Sequence, residues 1–139
     1  MEAIILAGGL GARLKSKVKD IPKPMALVSG RPFLEYILAR LQKGGETKVV
    51  LSVGYKSKVI SDYFQSRYGM TEIEYAVEGT PLGTGGGILQ SLKLVNTNQV
   101  LVLNGDTFFQ IDILKLFSVH NDKEADVTIA AKYQEDTAR

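Results

Sequence analysis

A five-residue apolar run, Ala3-Ile4-Ile5-Leu6-Ala7, leads into Gly8-Gly9-Leu10-Gly11-Ala12-Arg13-Leu14, and Pro22-Lys23-Pro24-Met25 begins eleven residues past Gly11. Glycine N–H groups at the end of a buried strand stand clear of side chains, which suits them to cradle a polyphosphate. Arg13 would offer phosphate oxygens a planar fork, and Lys23 a point charge aimed by the prolines on both sides of it. Asp106 follows the apolar run Val100-Leu101-Val102-Leu103 through Asn104-Gly105. A carboxylate at a strand's carboxyl end, reached through a glycine, suits Mg2+, a hard cation that takes oxygen ligands. The same Asn-Gly-Asp pattern also fits an ordinary turn aspartate. Gly83-Thr84-Gly85-Gly86-Gly87 makes a poor helix interior, at about 1 kcal/mol per glycine relative to alanine, so something is expected to approach that backbone closely.

Two familiar glycine loops do not match. A dinucleotide loop of the G-x-G-x-x-G type counted from Gly9 ends on Leu14, and no acid follows the second strand, which closes on Ser52-Val53-Gly54. A Walker A loop needs Gly-Lys, a dipeptide this chain lacks. Taken alone, the glycines could equally make a tight strand-to-loop turn.

The cluster does not stand alone. LAGGLGARL followed by PKPMALVSGRPFLEYIL resembles the opening of the sugar-1-phosphate nucleotidylyltransferases, and Pro81-Leu82-Gly83-Thr84-Gly85-Gly86 and Leu103-Asn104-Gly105-Asp106 continue the likeness in order. Within that family, VVLSVGYKSKVI, IEY and VLNGDTFF are most similar to the D-glycero-D-manno-heptose 1-phosphate guanylyltransferases. The resemblance implies catalytic roles for Arg13 and Lys23 and a metal role, with Mg2+ as cofactor, for Asp106. It implies nucleotide contacts from Leu6, Ala7, Gly8, Gly9 and Gly11 on the first loop, and from Glu78, Gly83 and Thr84 further on. Glu78 stands where this family reads the base edge, and a carboxylate accepts the two adjacent donors of guanine, so GTP is favoured. A solvated acid at a loop start is the other reading of Glu78. Gly87 and Ala12 depart from the family's more usual alanine and hydroxyl residue.

The reaction implied joins GTP to a sugar 1-phosphate, heptose 1-phosphate favoured, giving a GDP-sugar and pyrophosphate. Uridylyl, thymidylyl and mannose 1-phosphate guanylyl transfer are alternatives within the family. A nucleotide-binding module without turnover and an NAD-dependent oxidoreductase are alternatives outside it, the second disfavoured by the glycine count. The family's sugar-phosphate residues and second metal-binding aspartate belong to a later half, so 139 residues are expected to form an incomplete domain.

Composition bounds the rest. The chain is 45% hydrophobic and carries a net charge of +2, enough for one core and too little field for non-specific nucleic-acid or membrane binding. Lys15, Lys17 and Lys19 share a loop with Lys23 without interleaved aromatics, so they read as solvated, with Lys15 and Lys17 as candidates for a lid over pyrophosphate. Cysteine is absent and the first apolar run is too short for a signal peptide, so a cytoplasmic protein is expected; a homo-oligomer is compatible with this reading. His120 is the sole histidine and makes no metal site by itself.

These residues need a scaffold. Alternating strand-length apolar runs and helical patterns predict an α/β, Rossmann-like, mostly parallel sheet with helices on both faces, residues 1–139 being the nucleotide-binding part of a single domain. Strands are predicted near 2–7, 48–53, 72–77, 99–103 and 126–131, and helices near 32–43, 56–67, 84–94 and 112–119. The segment from Gly11 to Met25 reads as a long loop at the carboxyl end of strand one, where open α/β sheets place ligands. Tyr63, Phe64 and Tyr68 read as packing aromatics.

Overall fold

The computed structural model describes residues 1–9 and 21–133; Gly11, Arg13, Lys15, Lys17 and Lys19 lie outside the described residues. Met1–Phe108 and Phe109–Arg139 form two compact units.

In the first unit, β1 (Glu2–Leu6), β4 (Lys48–Val53), β6 (Thr71–Val77) and β7 (Val100–Asn104) run parallel. With β5 (Arg67–Tyr68) antiparallel at one edge, the sheet order is β5-β6-β4-β1-β7. Side chains alternate across the pleat, and both parities are buried. Ile4, Val50 and Ala76 form one cluster with Leu6, Leu94, Val95 and Val100, while Ala3, Ile5, Val49, Leu51 and Val53 are as deeply buried on the opposite face. Coverage of both faces explains why these strands read as unbroken apolar runs.

Between β1 and β4 the chain makes a 3-10 turn (Lys23–Met25) and a small hairpin of β2 (Leu27–Val28) and β3 (Arg31–Pro32) before α1 (Phe33–Gly44). The helix inserts the stripe Leu34, Ile37, Leu38 and Leu41 and ends on Gly45 in the left-handed region at φ +86°. α2 (Ser57–Phe64) buries Ile60 and Phe64, and α3 (Gly83–Leu92) packs on β1, β4 and β6. Tyr63 and Tyr68 meet Phe64 edge-on and donate to the Glu35 carboxylate; Phe64 is buried as predicted, whereas Tyr63 stays exposed. In the second unit, Asp112 caps α4 (Ile113–Asp122) by accepting from the Lys115 N–H at 3.0 Å, and the His120 ring meets the Thr128 hydroxyl at 2.9 Å. No helix among the described residues is long and apolar enough to cross a membrane.

Two sequence expectations are corrected. The helix predicted over 56–67 stops at Phe64, because Gln65 takes φ +53° and the chain turns into β5. The carbonyl of Gln65 accepts from the Tyr75 hydroxyl, and that of Ser66 from the Ile73 N–H, so β6 captures the last turn of the expected helix. The strand predicted over 126–131 is not a strand. Its alternation is strand-like, yet no described strand pairs with it, and Val127 and Ile129 are exposed. A strand without a neighbour leaves its backbone groups unpaired, and the pattern alone does not hold it extended.

At the amino end of the sheet, Glu46 is buried with both carboxylate oxygens lacking a partner among the described residues. Burial pushes its carboxyl above the usual range. A raised acid favours the folded state fully below the ordinary glutamate value and loses that contribution as pH rises through the folded value. Glu46→Gln, which keeps the shape and cannot ionise, is therefore expected to raise the melting temperature near pH 7, where the buried glutamate must either bind a proton or carry an unpaired charge. The gain should vanish as pH falls below the ordinary glutamate pKa, and melting curves of both proteins against pH would check it; a neutral-pH loss would count against this account.

Candidate functional site

Parallel strands bring their carboxyl ends to one edge, and the order β6-β4-β1-β7 sets Glu78, Gly54, Gly8 and Gly105 side by side there. Ladder bonds continue past each strand end and fix where the loops start. Ala7 N–H donates to the Ser52 carbonyl at 2.8 Å, Gly105 N–H to the Leu6 carbonyl at 2.8 Å, and Glu78 N–H to the Val53 carbonyl at 2.7 Å. Leu6 and Ala7 thus serve the edge through their backbones, Ala7 being buried. Gly8 is half-buried and Gly9 exposed, and a side chain built on Gly9 would meet nothing within 4 Å.

Lys23 and Asp106 are 83 positions apart in sequence and form an ion pair, Nζ to Oδ2, at 2.5 Å. Pro22 and Pro24 on either side of Lys23 are buried, which anchors the 3-10 turn and aims the lysine at the edge. The Lys23 hydrogen bond, opposed by partial burial, holds the Asp106 carboxyl below the usual aspartate range, and Thr107 Oγ1 lies 3.2 Å from Oδ1. An ionised, oxygen-only side chain with a neighbouring cation can hold a divalent metal or balance phosphate charge. Among the described residues no three His, Cys, Asp or Glu side chains gather into a metal cluster.

Glu78 is not a solvated acid. Its Oε1 accepts from the Ser52 hydroxyl at 2.9 Å and its Oε2 from the Leu82 N–H at 3.0 Å, which ties the end of β6 to the end of β4 and to the start of α3. A carboxylate has about four acceptor positions, so capacity for further donors remains. Gly83, the first residue of α3, holds φ +69°, a conformation open to glycine at no steric cost, and Gly83 and Thr84 are exposed beside this edge.

The structure therefore brings Gly8, Glu78 and Lys23–Asp106 to one sheet edge, whereas Gly11 and Arg13 lie outside the described residues. Ser52 escaped sequence reasoning. Its signal was a hydroxyl inside the apolar run VVLSV, where a buried polar group requires a partner.

Residues 2–139 match the nucleotidyl transferase family model. The chain is 50% identical over 139 residues to the D-glycero-alpha-D-manno-heptose 1-phosphate guanylyltransferase of Campylobacter jejuni, covering 100% of this chain and 61% of that protein. It is 48% identical over 132 residues to the protein of the same description from Aneurinibacillus thermoaerophilus, covering 95% of this chain and 57% of the relative. HddC from Yersinia pseudotuberculosis, solved complexed with GMP-PN, superimposes with a TM-score of 0.78 at 38% identity, over 87% of this chain and 54% of that one. The chain spans 57% to 61% of the length of the two guanylyltransferases.

Proposed function

The chain belongs to the nucleotidyl transferase family, and from that premise we propose that it is the nucleotide-binding part of a guanylyltransferase acting on GTP and a sugar 1-phosphate, heptose 1-phosphate above others. A phosphate oxygen of the sugar 1-phosphate attacks the α-phosphorus of GTP. A new P–O bond forms, the bond between the α-phosphorus and the oxygen that bridges it to the β-phosphorus breaks, and its electron pair leaves on that oxygen with pyrophosphate. The attacking phosphate is largely dianionic at neutral pH, so no general base is needed and catalysis reduces to alignment and charge neutralisation.

The observation that carries this reading is the convergence of Gly8–Gly9, Glu78 and the Lys23–Asp106 pair on one sheet edge. In it, Gly8 and Gly9 present N–H donors to the triphosphate, Lys23 offsets phosphate charge, and Arg13 would add a guanidinium fork. Asp106 would hold Mg2+, which when bound supplies further neutralisation of the phosphate oxygens. Glu78 faces the base, and Gly83 and Thr84 flank the nucleoside. A divalent cation fits this donor set because one carboxylate completed by substrate oxygens is a common Mg2+ arrangement. The sugar-phosphate contacts are assigned to the part of the relatives' length that this chain does not span. A cytoplasmic setting follows, since both substrates are charged and soluble.

Pyrophosphate release tests the proposal. With the protein at its natural length, GTP, UTP and dTTP are each paired with heptose, mannose and glucose 1-phosphates, with and without Mg2+. The fastest release is expected for GTP with heptose 1-phosphate in Mg2+. Faster release with UTP or dTTP would reassign the base, and no release from any pair would leave a nucleotide-binding module.

A further inference from the structure

Ser52 is the penultimate residue of β4, shares its face with the buried Val50, and is itself fully buried. A buried hydroxyl is costly without a partner, and this one donates to Glu78 Oε1 at 2.9 Å. The other oxygen of the same carboxylate takes the Leu82 N–H, so the group is held at both ends before any ligand arrives. The space around that bond is walled by glycine. A Cβ on Gly87 would stand 2.8 Å from Ser52 Oγ and 2.9 Å from Glu78 Oε1, and a Cβ on Gly8 would stand 2.9 Å from Glu78 Oε1. An alanine at position 87 is therefore incompatible with the Ser52–Glu78 bond as it stands. Gly87 weakens the interior of α3, and any side chain in its place would crowd this hydrogen bond.

We infer that Ser52 is a positioning residue for base selection, turning the Glu78 carboxylate into the plane of the incoming base, and that Gly87 keeps open the space this requires. The inference rests on the reading of Glu78 as acceptor for the guanine edge. Guanine presents N1–H and a 2-amino group as adjacent donors, and a carboxylate meets both only when its two oxygens lie in the base plane. A carboxylate free to rotate would still take N1–H but would lose the second bond. ITP separates the two situations, because hypoxanthine keeps N1–H and lacks the 2-amino group.

The test is the ratio of kcat/KM for GTP over ITP, measured at the protein's natural length for wild type, Ser52→Ala, Gly87→Ala, the double variant and Glu78→Gln, with thermal melting of each. Ser52→Ala and Gly87→Ala are each expected to lower the ratio about 5- to 10-fold, the order expected for one misaligned hydrogen bond. The double variant should lower it by less than the product of the two, because both changes act on one bond. A purely structural role would lower GTP and ITP use equally and leave the ratio flat. A flat ratio in both single variants, with Glu78→Gln lowering it, overturns the roles of Ser52 and Gly87 while the reading of Glu78 survives. A flat ratio in Glu78→Gln overturns both. Should Ser52→Ala fail to fold, Gly87→Ala, which removes no buried group, decides the matter alone.

Discussion

Asp106→Asn is expected to lower guanylyl transfer by about 10²- to 10³-fold or more at the protein's natural length, the scale on which one preorganised charge-stabilising group acts. The change keeps the side chain's shape and removes its charge. Asp106 stands immediately after the Gly105 turn at the end of β7, with Lys23 as its ion-pair partner. Steady-state kinetics against Mg2+ concentration would show the loss in kcat, and undiminished kcat would remove Asp106 from the metal site. The fold should survive, because an ion pair whose side chains are 36% and 37% exposed contributes about 0–1 kcal/mol. The sign of its pH dependence follows from the depressed carboxyl. A depressed acid stabilises above its unfolded pKa, about 3.9 for aspartate, and loses that contribution as pH falls through the folded value. The small difference in melting temperature between wild type and Asp106→Asn should therefore persist at neutral pH and close in strong acid.

Glu78→Gln should shift base choice. If the carboxylate accepts two guanine donors, the amide loses one acceptor and presents its own donors, weakening GTP relative to UTP by about 1–3 kcal/mol in kcat/KM. The structural background makes the loss sharper, since Glu78 already holds Ser52 and the Leu82 N–H and its replacement must satisfy both. An unchanged GTP to UTP ratio would confine Glu78 to bracing the start of α3.

Much of the scaffold was legible because burial on both sheet faces writes itself as continuous apolar runs; β1, β4, β6 and β7 fall within a residue of the predicted strands. α1 was legible from its helical spacing and the Gly44-Gly45 stop, but of the stripe Phe33, Tyr36, Ile37, Arg40 and Leu41 that the spacing suggests as core only Ile37 and Leu41 are buried, and Leu34 and Leu38 complete the inward face. The end of α2 was not, because Gln65 takes a left-handed φ without glycine or proline to announce it, and the cause lies in contacts with Tyr75 and Ile73 on another strand. Residues 126–131 misled for the complementary reason: strand periodicity reports compatibility with a sheet and says nothing about whether a partner strand is present. In the site, Lys23 and Asp106 were each legible by type and setting, whereas their pairing depends on tertiary contact across 83 positions. Ser52 hid inside a strand, where a single hydroxyl looks like tolerated polarity until its partner is known.

The central claim is a bond assignment: attack at the α-phosphorus of GTP with departure of pyrophosphate. It is tested most directly with GTP labelled in either the α- or the γ-phosphate, incubated with Mg2+ and heptose 1-phosphate at the protein's natural length. The account predicts that the α label appears in a nucleotide sugar and the γ label in pyrophosphate, in equal amounts. The γ label in inorganic phosphate or on the sugar would mean hydrolysis or phosphorylation instead, and would contradict it.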